Sequence, residues 1–221
     1  MSFIYLSHLA DARLKDWLES LGHRLVIINA QPTAYPAICS HSDIFICRLG
    51  SASSPVFCKA PKDTEYPQCA ALCASCNQKY FIHNLKITDP ELLNLAKELK
   101  LEAIHVNQGF TRCNLLPVGD GFITSDRGIF KALKERNIDT LLIEEGHISL
   151  PGHSFGFIGG CAGVVGKYAV FNGNLSAHPD FTKISQYISS KGLELKYFPQ
   201  YPLTDIGSII ESDHLLDDIR F

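Results

Sequence analysis

No run of about 18 consecutive apolar residues occurs in the chain, which excludes a membrane-spanning helix of ordinary length. The first residues, MSFIYLSHLADARLKDW, have neither a basic flank nor a long apolar core, so no secretory signal is expected. Lysine and arginine form no stripe and the net charge is −3, so nucleic acid is not an expected partner. Neither glycine-rich phosphate-binding pattern is present, and no cofactor is expected. Cys73-x-x-Cys76 has no second cysteine or histidine pair to complete a zinc site, so no metal is expected either.

What is present is apolar, thiol-rich and repetitive. Hydrophobic residues make up 46% of 221 residues, enough for one globular domain spanning 1–221. Eight cysteines without a secretion signal point to free thiols in a reducing cytoplasm.

Five short segments can be laid on one another: Ser42-Asp43-Ile44, Gln68-Cys69-Ala70, Arg112-Cys113-Asn114, Gly160-Cys161-Ala162 and Thr204-Asp205-Ile206. Intervals of this size mark repeated supersecondary units. The third block is the clearest. Arg112 to Val118 reads as a strand, Gly119-Asp120-Gly121 as a hairpin turn and Phe122-Ile123-Thr124 as the return strand. Ser125 or Asp126 then caps a helix over Gly128 to Arg136, and Thr140 to Ile143 is a third strand. The second block repeats this from Gln68 to Val106, and the fourth from Cys161 to Phe198. The first block, Asp43 to Lys59, has a Gly-Ser loop where the helix would be. The fifth is split: Thr204 to Ile210 supplies its first strand, and Ser2 to Ile28 its second strand, helix and third strand. The expected fold is an α/β propeller of five pseudo-symmetric units, the last closed by the N-terminus. It places Asp43, Cys69, Cys113, Cys161 and Asp205 at equivalent points.

A ring of such units, with "HSDIFIC", "CNLLPVGDGFITSD", "LPGHSFGFIGGCAGVVG" and "LTDIGSII", resembles the pentein fold of guanidino-group-modifying enzymes. The resemblance covers nearly the whole chain and implies a cytoplasmic hydrolase or transferase acting on a small arginine-like cation. In that family a cysteine thiolate attacks the guanidinium carbon, a histidine moves protons and carboxylates hold the planar cation. His41, Asp43 and Phe45 match the family's histidine–aspartate–phenylalanine pattern. The last unit carries Asp205 where relatives carry the cysteine nucleophile, and no cysteine follows Cys161. The equivalent ring positions then offer Cys161, or else Cys113, as nucleophile, with His41 as acid/base and Asp43 with Asp205 as cation-binding groups. Cys161 is preferred because Gly159-Gly160 before it would let backbone amides approach a ligand.

Each residue also has a plainer reading. Free cysteines often fill narrow cores. Buried aspartates can bind local amides, and His41 can hydrogen-bond a carbonyl. Cys69 and His153, the latter in a glycine-rich loop between units, are candidate substrate-binding residues. Non-catalytic ligand binding or assembly on the same fold is the second functional expectation. A third is an iron–sulfur protein, because Cys69, Cys73 and Cys76 have a C-x3-C-x2-C spacing like that of radical enzymes using S-adenosylmethionine. Ser75 stands where those enzymes carry an aromatic residue, and the triplet falls on a predicted strand and hairpin.

Overall fold

The computed structural model describes residues 2–32 and 34–216. Strand β1 (Phe3–Ser7) runs parallel to β2 (Arg24–Ile28), joined by helix α1 (Ala12–Ser20). Asp11 caps α1 by accepting from the Arg13 amide. Leu14 and Leu18, one helical turn apart, are fully buried, a contribution of about 1.5–3 kcal/mol each. A single helical turn, α2 (Ser42–Phe45), leads into β3 (Ile46–Arg48), antiparallel to β4 (Val56–Cys58). The next unit contains β5 (Ser75–Cys76), β6 (Tyr80–His83), α3 (Pro90–Glu98) and β7 (Glu102–His105). It is followed by α4 (Thr111–Asn114), β8 (Leu115–Val118), β9 (Gly121–Thr124), α5 (Arg127–Lys134) and β10 (Thr140–Leu142). Then come β11 (Ala162–Val165), β12 (Tyr168–Phe171), α6 (Phe181–Ser190), β13 (Glu194–Lys196) and finally β14 (Ile210–Ser212).

The chain is α/β. Among the described residues, five small sheets form, in the orders β14-β1-β2, β3-β4, β5-β6-β7, β8-β9-β10 and β11-β12-β13. In each three-stranded sheet the middle strand pairs antiparallel on one side and parallel on the other, with a helix as the parallel crossover. Phe3 pairs with Ser212 and Tyr5 with Ile210, so the two ends of the sequence share one sheet. Five apolar clusters fill the interior, and each bridges two sheets that follow one another. Tyr5 and Ile28 pack with Phe45 and Ile46, Cys47 and Leu49 with Phe81 and Leu92, and Ile82 and Ile104 with Phe122 and Leu133. Leu116 and Ile123 pack with Phe171 and Ile184, and Val165 and Val170 with Ile4 and Leu18. No helix of the described residues is long and apolar enough to cross a membrane.

The repeated segments themselves are not strands. Ser42–Phe45 and Thr111–Asn114 are single helical turns, and Gln68–Ala70 is a 3-10 turn. Thr204 makes an isolated bridge to Ser149, and Gly207 and Ser208, both with φ near +75°, turn the chain before β14. Hydrogen bonds between segments replace a ladder. The Asp43 amide donates to Gly207 O (3.1 Å), Ser208 to Gly160 O (2.8 Å), Gly160 to Cys113 O (3.0 Å) and Arg112 to Cys73 O (2.8 Å). A coiled turn rises about 1.5 Å per residue against about 3.3 Å for a strand, so it gathers side chains into a small volume.

Candidate functional site

The turns α2 and α4 bring two of the equivalent residues into contact. The Cys113 thiol donates to Asp43 Oδ2 at 3.0 Å, and both side chains are buried. Ser208 donates its hydroxyl to the same oxygen, with the Gly159 carbonyl 3.0 Å away as a second acceptor. Asp43 Oδ1 has no hydrogen-bond partner. His41 immediately precedes α2, is 1% exposed, and has no partner on either ring nitrogen. One coordinating atom from each of His41, Asp43 and Cys113 lies within 4.8 Å of the others. Unpaired buried polar atoms cost about 1–3 kcal/mol each, so three in one group is an expensive arrangement for a site with no ligand.

Asp205 also lies near His41, with Oδ1 3.9 Å from Nδ1, beyond hydrogen-bond range. Its Oδ2 accepts from the Phe157 amide (2.9 Å) and its Oδ1 from Gly207 (3.0 Å). Burial pushes the Asp205 carboxyl up to about 6, against those two amides. Burial also holds His41 down to about 4, so the ring is neutral near pH 7. The Cys113 thiol is pushed well above its usual range by its contact with Cys73, whose sulfur lies 3.9 Å away, and by burial.

Cys161 follows Gly160, whose backbone packs against the Asp205 carboxyl, and the Cys161 side chain turns away from Asp43. Its thiol donates to Ile158 O at 3.3 Å inside the apolar cluster of Leu116, Phe171 and Ile184, and burial pushes it well above the usual range. Gly159 and Gly160 hold no ligand amides. A Cβ on Gly160 would collide with the Asp205 carboxyl, and one on Gly159 with the Arg112 backbone. These glycines exist because segments cross in close contact. Of the two candidate thiols, Cys113 touches Asp43 and Cys161 touches a backbone carbonyl.

Cys69 packs beside Tyr5 and Phe45, and burial pushes it up to about 11. Cys73 faces Cys113, and Cys76 faces Cys47 at 4.0 Å. The three thiols of the C-x3-C-x2-C spacing thus turn to different neighbours, because they sit on a 3-10 turn, a loop and a strand rather than one flexible loop. His153 is exposed, its ring 6.1 Å from that of Tyr35, which lies 6.5 Å from Phe110. Burial raises Tyr35 to about 12, with Cys69, Cys113, Cys73 and Asp205 adding to the effect.

Three contributors were not legible as site residues. Ser208 supports Asp43; its signal was a hydroxyl three residues after Asp205. Arg112 is buried and donates to Gly159 O (2.9 Å) and Ala162 O (3.2 Å), fixing the segment beneath Asp205. Tyr35 packs at the edge of the cluster that holds Cys69 and Phe45, the latter two residues after Asp43 in α2. Gly152-His153-Ser154-Phe155-Gly156 has the spacing of a serine-hydrolase elbow, but it lies in the loop between β10 and β11 without the strand–turn–helix that such an elbow needs.

Among curated proteins none matches this chain. The segment 53–210 matches a family and contains Cys113, Asp205 and Ser208, while His41 and Asp43 precede it. That match covers more than half of the sequence, and the chain belongs to this family, described as a family of unknown function (DUF6873).

Proposed function

We propose that this protein is a cysteine-dependent enzyme acting on a guanidine- or amidine-bearing small molecule, with Cys113 as nucleophile. The observation that carries the reading is the group itself: a thiol touching one carboxylate, and a buried histidine without a hydrogen-bond partner near that carboxylate and near a second one. The five small sheets, the apolar clusters bridging each to the next and the β1–β14 pairing support a closed five-unit propeller of the pentein type.

Asp43 and Asp205 would accept the N–H groups of a planar cation, whose delocalised charge matches paired carboxylate oxygens. That charge beside Cys113 favours the thiolate, and neutral His41 takes the thiol proton. Sulfur bonds to the central carbon. The C–N bond breaks as His41 returns the proton to the leaving amine. Water then gives a proton to His41 and adds to the same carbon. The C–S bond breaks, releasing the oxygen-bearing product and the regenerated thiol.

The complete burial of the group favours a second reading, a binding module without turnover. Labelling native protein with chloroacetamidine and with neutral iodoacetamide, followed by peptide mapping of all eight cysteines, separates the two. The enzyme reading expects Cys113 to react much faster with the cationic reagent, and Asp43→Asn to remove that preference. Modification of Cys113 only after unfolding, or at equal rates with both reagents, overturns it in favour of the binding module.

A further inference from the structure

The His41, Asp43 and Cys113 group also has the composition of a metal site, and we propose that it binds one zinc ion. This goes beyond the enzyme reading and does not depend on it. Nitrogen, oxygen and sulfur donors come from three side chains at most 3% exposed, and their coordinating atoms all lie within 4.8 Å of one another. Tetrahedral zinc, with bonds of about 2.0–2.3 Å, sets donors about 3.3–3.8 Å apart. Cys113 Sγ lies 3.0 Å from Asp43 Oδ2 and the donor atoms span no more than 4.8 Å, so side-chain shifts of about 1 Å bring one Asp43 oxygen, the thiol and the ring to that geometry. The second, independent observation is the unsatisfied atoms. Asp43 Oδ1 and both His41 nitrogens are buried without a partner. The Ser208 hydroxyl occupies the other Asp43 oxygen and leaves Oδ1 available.

The donor set decides the cation. Magnesium and calcium require oxygen ligands, whereas a thiolate and an imidazole select zinc-like ions. Asp205 Oδ1 lies 3.9 Å from His41 Nδ1, and a shift of about 1 Å on zinc binding would let it accept from the ring as outer carboxylates do from zinc-bound histidines. Binding forms a sulfur–zinc bond as the Cys113 thiol loses its proton to solvent. His41 ligates as the neutral ring and Asp43 as the carboxylate. A zinc-bound Cys113 cannot attack carbon, so the loaded protein is the blocked form of the proposed enzyme.

The test uses the full chain, stripped with a chelator and titrated with zinc and with cobalt. The expected result is one ion per chain, with a thiolate-to-cobalt charge-transfer band in the near ultraviolet. Cys113→Ser should abolish the band, and His41→Gln should abolish tight binding. Asp205→Asn should weaken zinc by about 10–100-fold. Cys161→Ser, outside the group, should bind like the parent. A parent protein without the cobalt band, or zinc held equally by Cys113→Ser, overturns the proposal, and the parent spectrum needs no variant to fold. Run in chelator, the amidine-labelling experiment reads the metal-free thiol, so its failure leaves the zinc result standing, and the reverse also holds.

Discussion

His83 provides a test of the physical reasoning that is independent of the proposed chemistry. It ends β6 and is completely buried. Its Nε2 lies 2.8 Å from Gly109 O and its Nδ1 2.8 Å from Thr88 Oγ1. A carbonyl only accepts, so the neutral ring carries its proton on Nε2 and Nδ1 accepts from the threonine hydroxyl. Burial lowers the His83 pKa from 6.5 to about 4. The folded protein therefore binds fewer protons at this residue than the unfolded chain does between those two values. Stability is unaffected by His83 above about pH 6.5, falls as the pH drops toward 4, and loses no more below that. The gap between 6.5 and about 4, at about 1.4 kcal/mol per pH unit, makes the loss about 3 kcal/mol. His83→Gln can keep an N–H for Gly109 but cannot titrate. Urea unfolding of both proteins from pH 7 to pH 4 should show the variant gaining about 3 kcal/mol relative to the parent across that window, whatever its constant offset. Parallel curves would refute the reasoning. Gly109 immediately precedes Phe110 and the turn that carries Cys113, so this bond also supports the site.

Two further substitutions test local geometry. Gly207 has φ +77°, and a Cβ there would collide with Cβ of His41. Gly207→Ala should cost more than about 2 kcal/mol in urea unfolding and weaken zinc binding, and an unchanged midpoint would show that the contact can relax. Lys100 follows α3 at φ 59°, with its amide bonded to Lys97 O and the Leu101 amide to Ala96 O, the pattern that favours glycine. Lys100→Gly should raise stability by about 1 kcal/mol, and a loss would contradict the left-handed strain.

Much of the architecture was legible because it depends on local rules. Asp126 caps α5 as its sequence suggests, accepting from the Ile129 amide, and Asn137 ends that unit's helix region at φ 55°. Asp89 with Pro90 opens α3, and Gly192 stops α6 at φ +72°. The split unit was legible in part: β1 pairs with the C-terminal strand, but that strand is Ile210–Ser212 and not the expected Thr204 to Ile210. The helical turns at Ser42–Phe45 and Thr111–Asn114 were not. Short apolar runs carry no period long enough to separate a strand from a single turn. Their amides are satisfied by segments distant in sequence, which no local rule can supply.

The sequence by itself determined the α/β class and the recurring order of strands and helices, because hydrophobic period, caps and turn residues act over a few positions. Only the tertiary structure decided which thiol faces a carboxylate. Cys113 and Cys161 occupy matching places in their units, yet one turns toward Asp43 and the other into an apolar cluster. The physical reason is that a side chain's environment is set by the segment packed against it. Here α2 comes from a loop some 70 residues away from Cys113, whereas Cys161 is enclosed by Leu116, Phe171 and Ile184.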